Sequence, residues 1–282
     1  MSVWQVDFYR RPLKDEMGNP LWELVACDPT RSFTAQAFCA QSEATANWLT
    51  QQLKEFATRT NALPQQIQVF RPQAVSLLQA ACQPLEISVT PTRHTPALKQ
   101  FLHQRAAQYP TLSGYTGQPY HPTELEKPPP VPLPENLWGD RWQFAALAAG
   151  DLVPAFQNRP IPVREMPEAL FPIHLQIPST APVPGVIIEA GRRSMPLARW
   201  LQRIQPVALN YIPGDPDGLI LEAGLVDRWV LTTFTDADVI TAAKTFQSRQ
   251  QAAKGLHFLL VQPDDSGMTY SGFWLLNSNE VI

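Results

Sequence analysis

The stretch Val3-Trp-Gln-Val-Asp-Phe-Tyr9 decides how the N-terminal half is read. Large residues alternate there with smaller or polar ones, the period-two pattern of a strand with one face in a core. Working outward, Asp15 to Pro20 supplies a turn and Leu21 to Cys27 a second strand, which makes a β-hairpin. Beyond Asp28-Pro29, Ser32 to Phe38 sets Phe33, Ala35 and Ala37 against Ser32, Thr34 and Gln36 and completes a three-stranded meander. Trp48, Leu49, Leu53 and Phe56 then recur at helical spacing up to about Thr60, with Ser42 as the candidate N-cap. Gln66 to Phe70 reads as a strand, Gln73 to Cys82 as a helix and Glu86 to Thr90 as a strand. Thr95 caps a further helix with Pro96 at its first position and Leu98, Phe101 and Leu102 as its buried stripe.

This order, β-β-β-α-β-α-β-α, is that of a ribonuclease H-like α/β domain, antiparallel strands first and crossover units after, and we assign it to residues 1–116. From Gly117 to Leu137 the chain is rich in proline, with Lys127-Pro-Pro-Pro-Val-Pro-Leu-Pro134 unable to sustain a helix or a central strand, so 117–137 is expected to be a stiff domain linker. Residues 138–282 form a second, mixed α/β domain. It is expected to be irregular through Leu137 to Pro184 and then regular: strand Gly185 to Glu189, helix Met195 to Ile204, and strands Val207 to Ile212, Leu219 to Glu222 and Arg228 to Phe234. A helix capped by Asp236 runs to about Ala253, and a hairpin of Leu256 to Gln262 and Met268 to Leu276 closes the domain.

The 282 residues exceed what one domain usually holds, and 44% hydrophobic with 17% charged residues is ordinary globular composition. A formal net charge of −3 provides no protein-wide field for a phosphate backbone, so any nucleic-acid site must be local. Three cysteines, Cys27, Cys39 and Cys82, lack metal-ligand or paired spacing, which fits a reducing compartment. Strand begins at Val3, leaving no room for a signal or transit peptide, and no apolar run has membrane length, so a cytoplasmic location without membrane insertion is expected.

Chemistry-bearing clusters are few. Asp7 sits where the first metal ligand of a ribonuclease H-like nuclease would be, yet Glu43 is too near its helix start, and Arg71 puts a positive charge where a further carboxylate is wanted. Asp217 and Glu222 resemble a nuclease carboxylate pair, but Gly224 stands in place of the required lysine and Asp215-Pro-Asp-Gly218 is an ordinary turn sequence. The five histidines have no ligand spacing, no phosphate loop or nucleophile elbow occurs, and no cofactor is expected. The strongest local feature is Arg192, Arg193, Arg199 and Arg203, the last two one turn apart on a helix face, where guanidiniums could grip phosphates or stack on bases. Arg10 and Arg11 could add to it. Of eight tryptophans, Trp138 and Trp142 are the candidates for exposed stacking platforms, the alternative being that they pin the linker.

Three stretches together, Trp4-Gln-Val-Asp-Phe-Tyr-Arg-Arg-Pro-Leu13, Leu21-Trp-Glu-Leu-Val-Ala-Cys-Asp28 and Gly272-Phe-Trp-Leu-Leu276, resemble the Tab/Atab family of chloroplast and cyanobacterial factors. The resemblance implies a non-catalytic RNA-binding protein acting in translation or biogenesis of photosystem I, attached to the 5′ untranslated region of its message, psaB in chloroplasts. A single-stranded, A/U-rich RNA is the expected partner, with translation or photosystem assembly proteins as further ones. A protein-binding scaffold and a divergent metal-dependent nuclease are the alternatives. Trp274, Leu275 and Leu276 form the C-terminal family signature, and their apolar character suits a buried strand as well as a contact surface.

Overall fold

In the computed structural model, which describes residues 2–279, the alternation at Val3 to Tyr9 belongs to a longer strand, β1 (Val3–Lys14). It pairs antiparallel with β2 (Pro20–Cys27), and β2 with β3 (Thr34–Ala40). Two short strands, β4 (Gln66–Val69) and β5 (Ser88–Pro91), run parallel to β1 on its other side, giving the order β3-β2-β1-β4-β5. Helices α1 (Ala46–Thr60), α2 (Pro72–Cys82) and α3 (Pro96–Gln108) fill the connections in the expected sequence. The chain divides after Glu126 into two compact units, of which this is the first.

Register sorts the two faces of the sheet. Trp4, Val6 and Phe8 with Leu24 and Ala26 pack against Leu49, Leu53 and Phe56 of α1 and Leu78 of α2. The pairings Asp7↔Val25 and Tyr9↔Glu23 put the opposite residues on one face, where Val25 and Cys27 meet Leu98 and Leu102 of α3. That face also carries Asp7, Arg11 and Glu23, all buried.

Two expected caps are corrected. Ser42 lies in a separate short 3-10 turn, and the N-cap of α1 is Thr45, whose hydroxyl accepts from the Trp48 N–H. Thr95 holds the N-cap position of α3, but its hydroxyl makes no cap bond. The side-chain carbonyl of Gln5, reaching across from β1, accepts from the Leu98 N–H at 3.0 Å instead.

The stretch expected to be a linker is shared out. Residues up to Glu126 belong to the first unit, whereas Val131–Pro132 forms β6 and the side chains of Leu133 and Leu137 enter the core of the second. The expected irregularity of Leu137 to Pro184 is also corrected: it contains β7 (Arg141–Ala148), α4 (Ala149–Phe156), β8 (Val163–Glu165) and the start of β9 (Pro182–Glu189). β7 is half-buried along most of its length, so it shows no in/out alternation, and α4 carries Gly150 and Pro154, which mask its helical signal.

The second unit holds two mixed sheets. One contains β13 (Leu256–Gln262) and β14 (Gly272–Asn277) in the order β7-β9-β13-β14-β8. The other joins β10 (Pro206–Ile212), β11 (Asp217–Ala223) and β12 (Asp227–Phe234) to β6 at the edge. A two-residue edge strand preceded by Pro130 and ending in Pro132 suits that place, because proline cannot donate to a further strand. Helices α5 (Ser194–Ile204) and α6 (Ala237–Ala252) pack on the sheets, and Asp236 caps α6 by accepting from the N–H groups of Asp238 and Val239.

His257, fully buried on β13, yields a pH prediction. Its Nε2 accepts from the Leu209 N–H at 2.8 Å and its Nδ1 lies 2.8 Å from the Gly255 carbonyl, an arrangement that only the neutral ring satisfies. Burial pulls its pKa down from 6.5 to about 4. The unfolded chain therefore takes up the proton first, and stability is lost as pH falls from 6.5 towards 4, by about 3 kcal/mol for this group. The imidazole proton resonance should titrate near pH 4. A midpoint near 6.5 would show that the ring is not held neutral.

Candidate nucleic-acid interface

Helix α5 is amphipathic: Leu197, Ala198, Trp200 and Leu201 are buried, and Trp200 meets Trp229 edge-on at 5.1 Å. The outer face follows from the same spacing. Arg192, in the 3-10 turn that leads into the helix, is exposed, as are Arg199 and Arg203, and the intervals of seven and four residues align all three along one side. None of these three has an ion-pair partner among the described residues. Arg193 differs, since its guanidinium is paired with Asp140.

Below the start of α5 lies an apolar slot of about 170 Å³, lined among others by Leu137, Trp138, Trp142, Ile188 and Leu197. Trp138 is 50% exposed, and its indole N–H donates to the Leu133 carbonyl, which fixes the ring while leaving a face open. Trp142 is half-buried and packs edge-on against Phe144 at 5.3 Å and tilted on Phe234 at 5.6 Å. A fixed, half-open indole suits base stacking better than a mobile one because little rotamer freedom is lost on contact. Trp138 is thus both exposed and tied to the preceding segment, whereas Trp142 is half-buried.

Arg10 and Arg11 belong to the first unit and differ from each other. Arg10 is exposed, whereas Arg11 is 4% exposed and committed to an ionic network. The Arg11 guanidinium donates to Asp7 at 3.0 Å, to Glu23 at 2.9 Å and to the Tyr120 hydroxyl at 2.7 Å. Arg71 donates to the other Asp7 oxygen at 2.8 Å and to the Pro122 carbonyl, and stacks on Tyr9 at 4.1 Å. Arg105 donates twice to Glu23, and the Tyr109 hydroxyl donates to Glu23 at 2.5 Å. Burial alone would lower the pKa of Arg11, but the charges of Asp7 and Glu23 and the neighbouring tyrosines raise it above its usual value, so it stays charged. Burial pushes the Tyr109 phenol up, which keeps its proton available to Glu23.

Both oxygens of Asp7 are thus occupied by guanidiniums. The other nuclease candidates fare similarly: Asp217 accepts from the Tyr211 hydroxyl and the Gly214 N–H, each at 2.7 Å, as a turn carboxylate does, and Glu222 is bonded by Lys127 at 2.9 Å. No group of three or more His, Cys, Asp or Glu side chains among the described residues could hold a metal. Trp274, Leu275 and Leu276 of β14 are buried, at 0%, 2% and 3% exposure.

Two family models match the chain. Residues 3–105 match one described as RNA-binding protein Tab2/Atab2 N terminal, and residues 120–277 match one described as RNA-binding protein Tab2/Atab2, C-terminal domain. A maize protein described as "Protein TAB2 homolog, chloroplastic" is 30% identical over 279 residues, covering 97% of this chain and 70% of that protein. Its Arabidopsis thaliana counterpart of the same description is 28% identical over 282 residues, covering 98% and 74%. Among solved structures, the catalytic core domain of BIV integrase is 16% identical with a TM-score of 0.27, over 38% of this chain and 64% of that one, too slight a likeness to carry an argument.

Proposed function

The chain belongs to the RNA-binding Tab2/Atab2 family, and from that premise we propose that it binds single-stranded RNA through the outer face of α5, without cleaving it. The observation that carries this reading is the exposed row of Arg192, Arg199 and Arg203, free of carboxylate partners among the described residues. Guanidiniums so placed hold phosphates, and Trp138 beside the apolar slot offers a stacking surface for a base. Such contacts tolerate sequence, and an A/U-rich strand, being unpaired, is the substrate they suit. Non-catalytic action is supported by the guanidiniums on both oxygens of Asp7.

The message we infer is one for a photosystem I component, held at its 5′ untranslated region by a cytoplasmic protein, in line with the family's RNA-binding description. No helix among the described residues is long and apolar enough to cross a membrane. The scaffold alternative has less support, because Val131 and Pro132 of the segment it would offer are already paired to β12 and Leu133 is in the core.

Filter binding of the full chain to a labelled A/U-rich single strand, across a salt series, tests the proposal. Replacing Arg192, Arg199 and Arg203 with alanine should weaken binding and reduce the slope of log affinity against log salt by about 2, at roughly 0.7 per phosphate on a single strand. An unchanged slope would remove α5 from the interface, and a shortened RNA after incubation would revive the nuclease reading.

A further inference from the structure

The first unit contains a cleft of about 510 Å³ at the C-terminal end of β1, with Arg11 and Arg71 among its lining residues and Arg10, Lys14, Gln73 and Tyr120 around them. The network beneath it is not charge-balanced. Among the described residues Arg11, Arg71 and Arg105 are opposed by the carboxylates of Asp7 and Glu23 alone, all five residues being at most 5% exposed. A buried surplus of positive charge is costly unless an anion answers it.

Donors are also in surplus. A guanidinium has five N–H groups. Arg11 uses three, towards Asp7, Glu23 and Tyr120, and Arg71 uses three, towards Asp7, Pro122 and, at 3.4 Å, Glu124. Each therefore keeps N–H groups that no acceptor among the described residues uses, and because the Arg11 side chain has no exposed surface its charge acts on the cleft through the field rather than by contact. Arg10 and Lys14 are exposed and have no ion-pair partner among the described residues, so they add positive charge where low-dielectric walls concentrate it. Glu124 and Glu126 also line the cleft, so an anion is favoured only near Arg10 and Lys14 and not beside these carboxylates.

We infer that this cleft is a second nucleic-acid contact, in which a phosphate of the RNA backbone is held by the exposed Arg10 and Lys14 above the buried charges of Arg71 and Arg11. The inference rests on the RNA-binding reading but not on α5. Asp7, the candidate metal ligand of this unit, instead holds Arg11 and Arg71 in place, so the cleft would retain a phosphodiester without a metal to cut it.

The test is a charge reversal at the exposed wall, Arg10→Glu with Lys14→Glu, in the full chain, with Gln73→Glu as an independent variant on the first turn of α2. Binding to the same labelled single-stranded RNA should weaken several-fold, and for the double variant the salt slope should fall by about 0.7, the contribution of the one phosphate held there. The loss should add to that of the α5 substitutions, with thermal melting unchanged. If both cleft variants bind with wild-type affinity and slope while the α5 variant is weakened, the cleft inference is overturned and the α5 reading stands. If the wild-type chain retains no RNA, both fall together.

Discussion

Replacing Glu23 with alanine should lower the stability of the first unit by about 3–5 kcal/mol, the range for removing one partner from a buried ion pair. Glu23 has no exposed surface and accepts from Arg11, from two nitrogens of Arg105 and from the Tyr109 hydroxyl. Its loss would leave three guanidiniums facing Asp7 alone, with a phenol unpaired. Glu23→Gln, which keeps the volume and removes the charge, should recover little, because the electrostatic opposition is what the site lacks. Calorimetry of the full chain should show one transition moved to lower temperature and the other in place. A shift worth less than about 1 kcal/mol would mean that water reaches the network and that the pairs behave as surface salt bridges.

That network shows where sequence reading ends. Asp7 was visible as a polar residue in an apolar strand, and Arg71 as a positive charge where a nuclease would carry a carboxylate. Their contact spans 64 positions, and that of Glu23 with Arg105 spans 82, so nothing local announces it. Arg10 and Arg11, adjacent and alike in the sequence, go to opposite environments because successive strand residues point to opposite faces. The α5 arginines were legible for the complementary reason: 3.6-residue periodicity alone aligns Arg199 and Arg203, with Arg192 in the turn that leads into the helix. What removed Arg193 from that row is Asp140, again distant in sequence.

The same division explains the elements. β3, with one buried face, shows its alternation; β1, buried on both faces, shows it because Gln5 and Asp7 are polar between Trp4, Val6 and Phe8; and helices with strong apolar stripes show theirs. β7 has neither signal, and β8 is three residues long, so both depend on neighbours for their existence. The cap of α3 is a tertiary device: Gln5 is 93 positions from the N–H it accepts from. Thr95-Pro96 still located the helix start, since proline at the first helical position needs no distant partner.

Trp274→Ala should destabilise the second unit by about 3–5 kcal/mol, as large aromatic truncations in cores do. The ring has no exposed surface and sits in the cluster formed by Leu197 and Leu201 of α5, Leu259 of β13 and Leu276. Gly272 is shaped by it: a Cβ there would lie 2.4 Å from the indole ring, so glycine and tryptophan two residues apart on β14 are fitted to each other. The family signature is then a packing solution that seats α5 on the sheet, and its effect on RNA is indirect. Trp274→Phe, which retains much of the volume, should cost less and bind RNA normally below its melting temperature. Trp274→Ala should bind only to the extent that it is folded, so RNA retention and the melting curve should move together. A Trp274→Ala protein that melts like the wild type yet has lost RNA would refute the packing account and make this buried strand part of a surface that opens to bind.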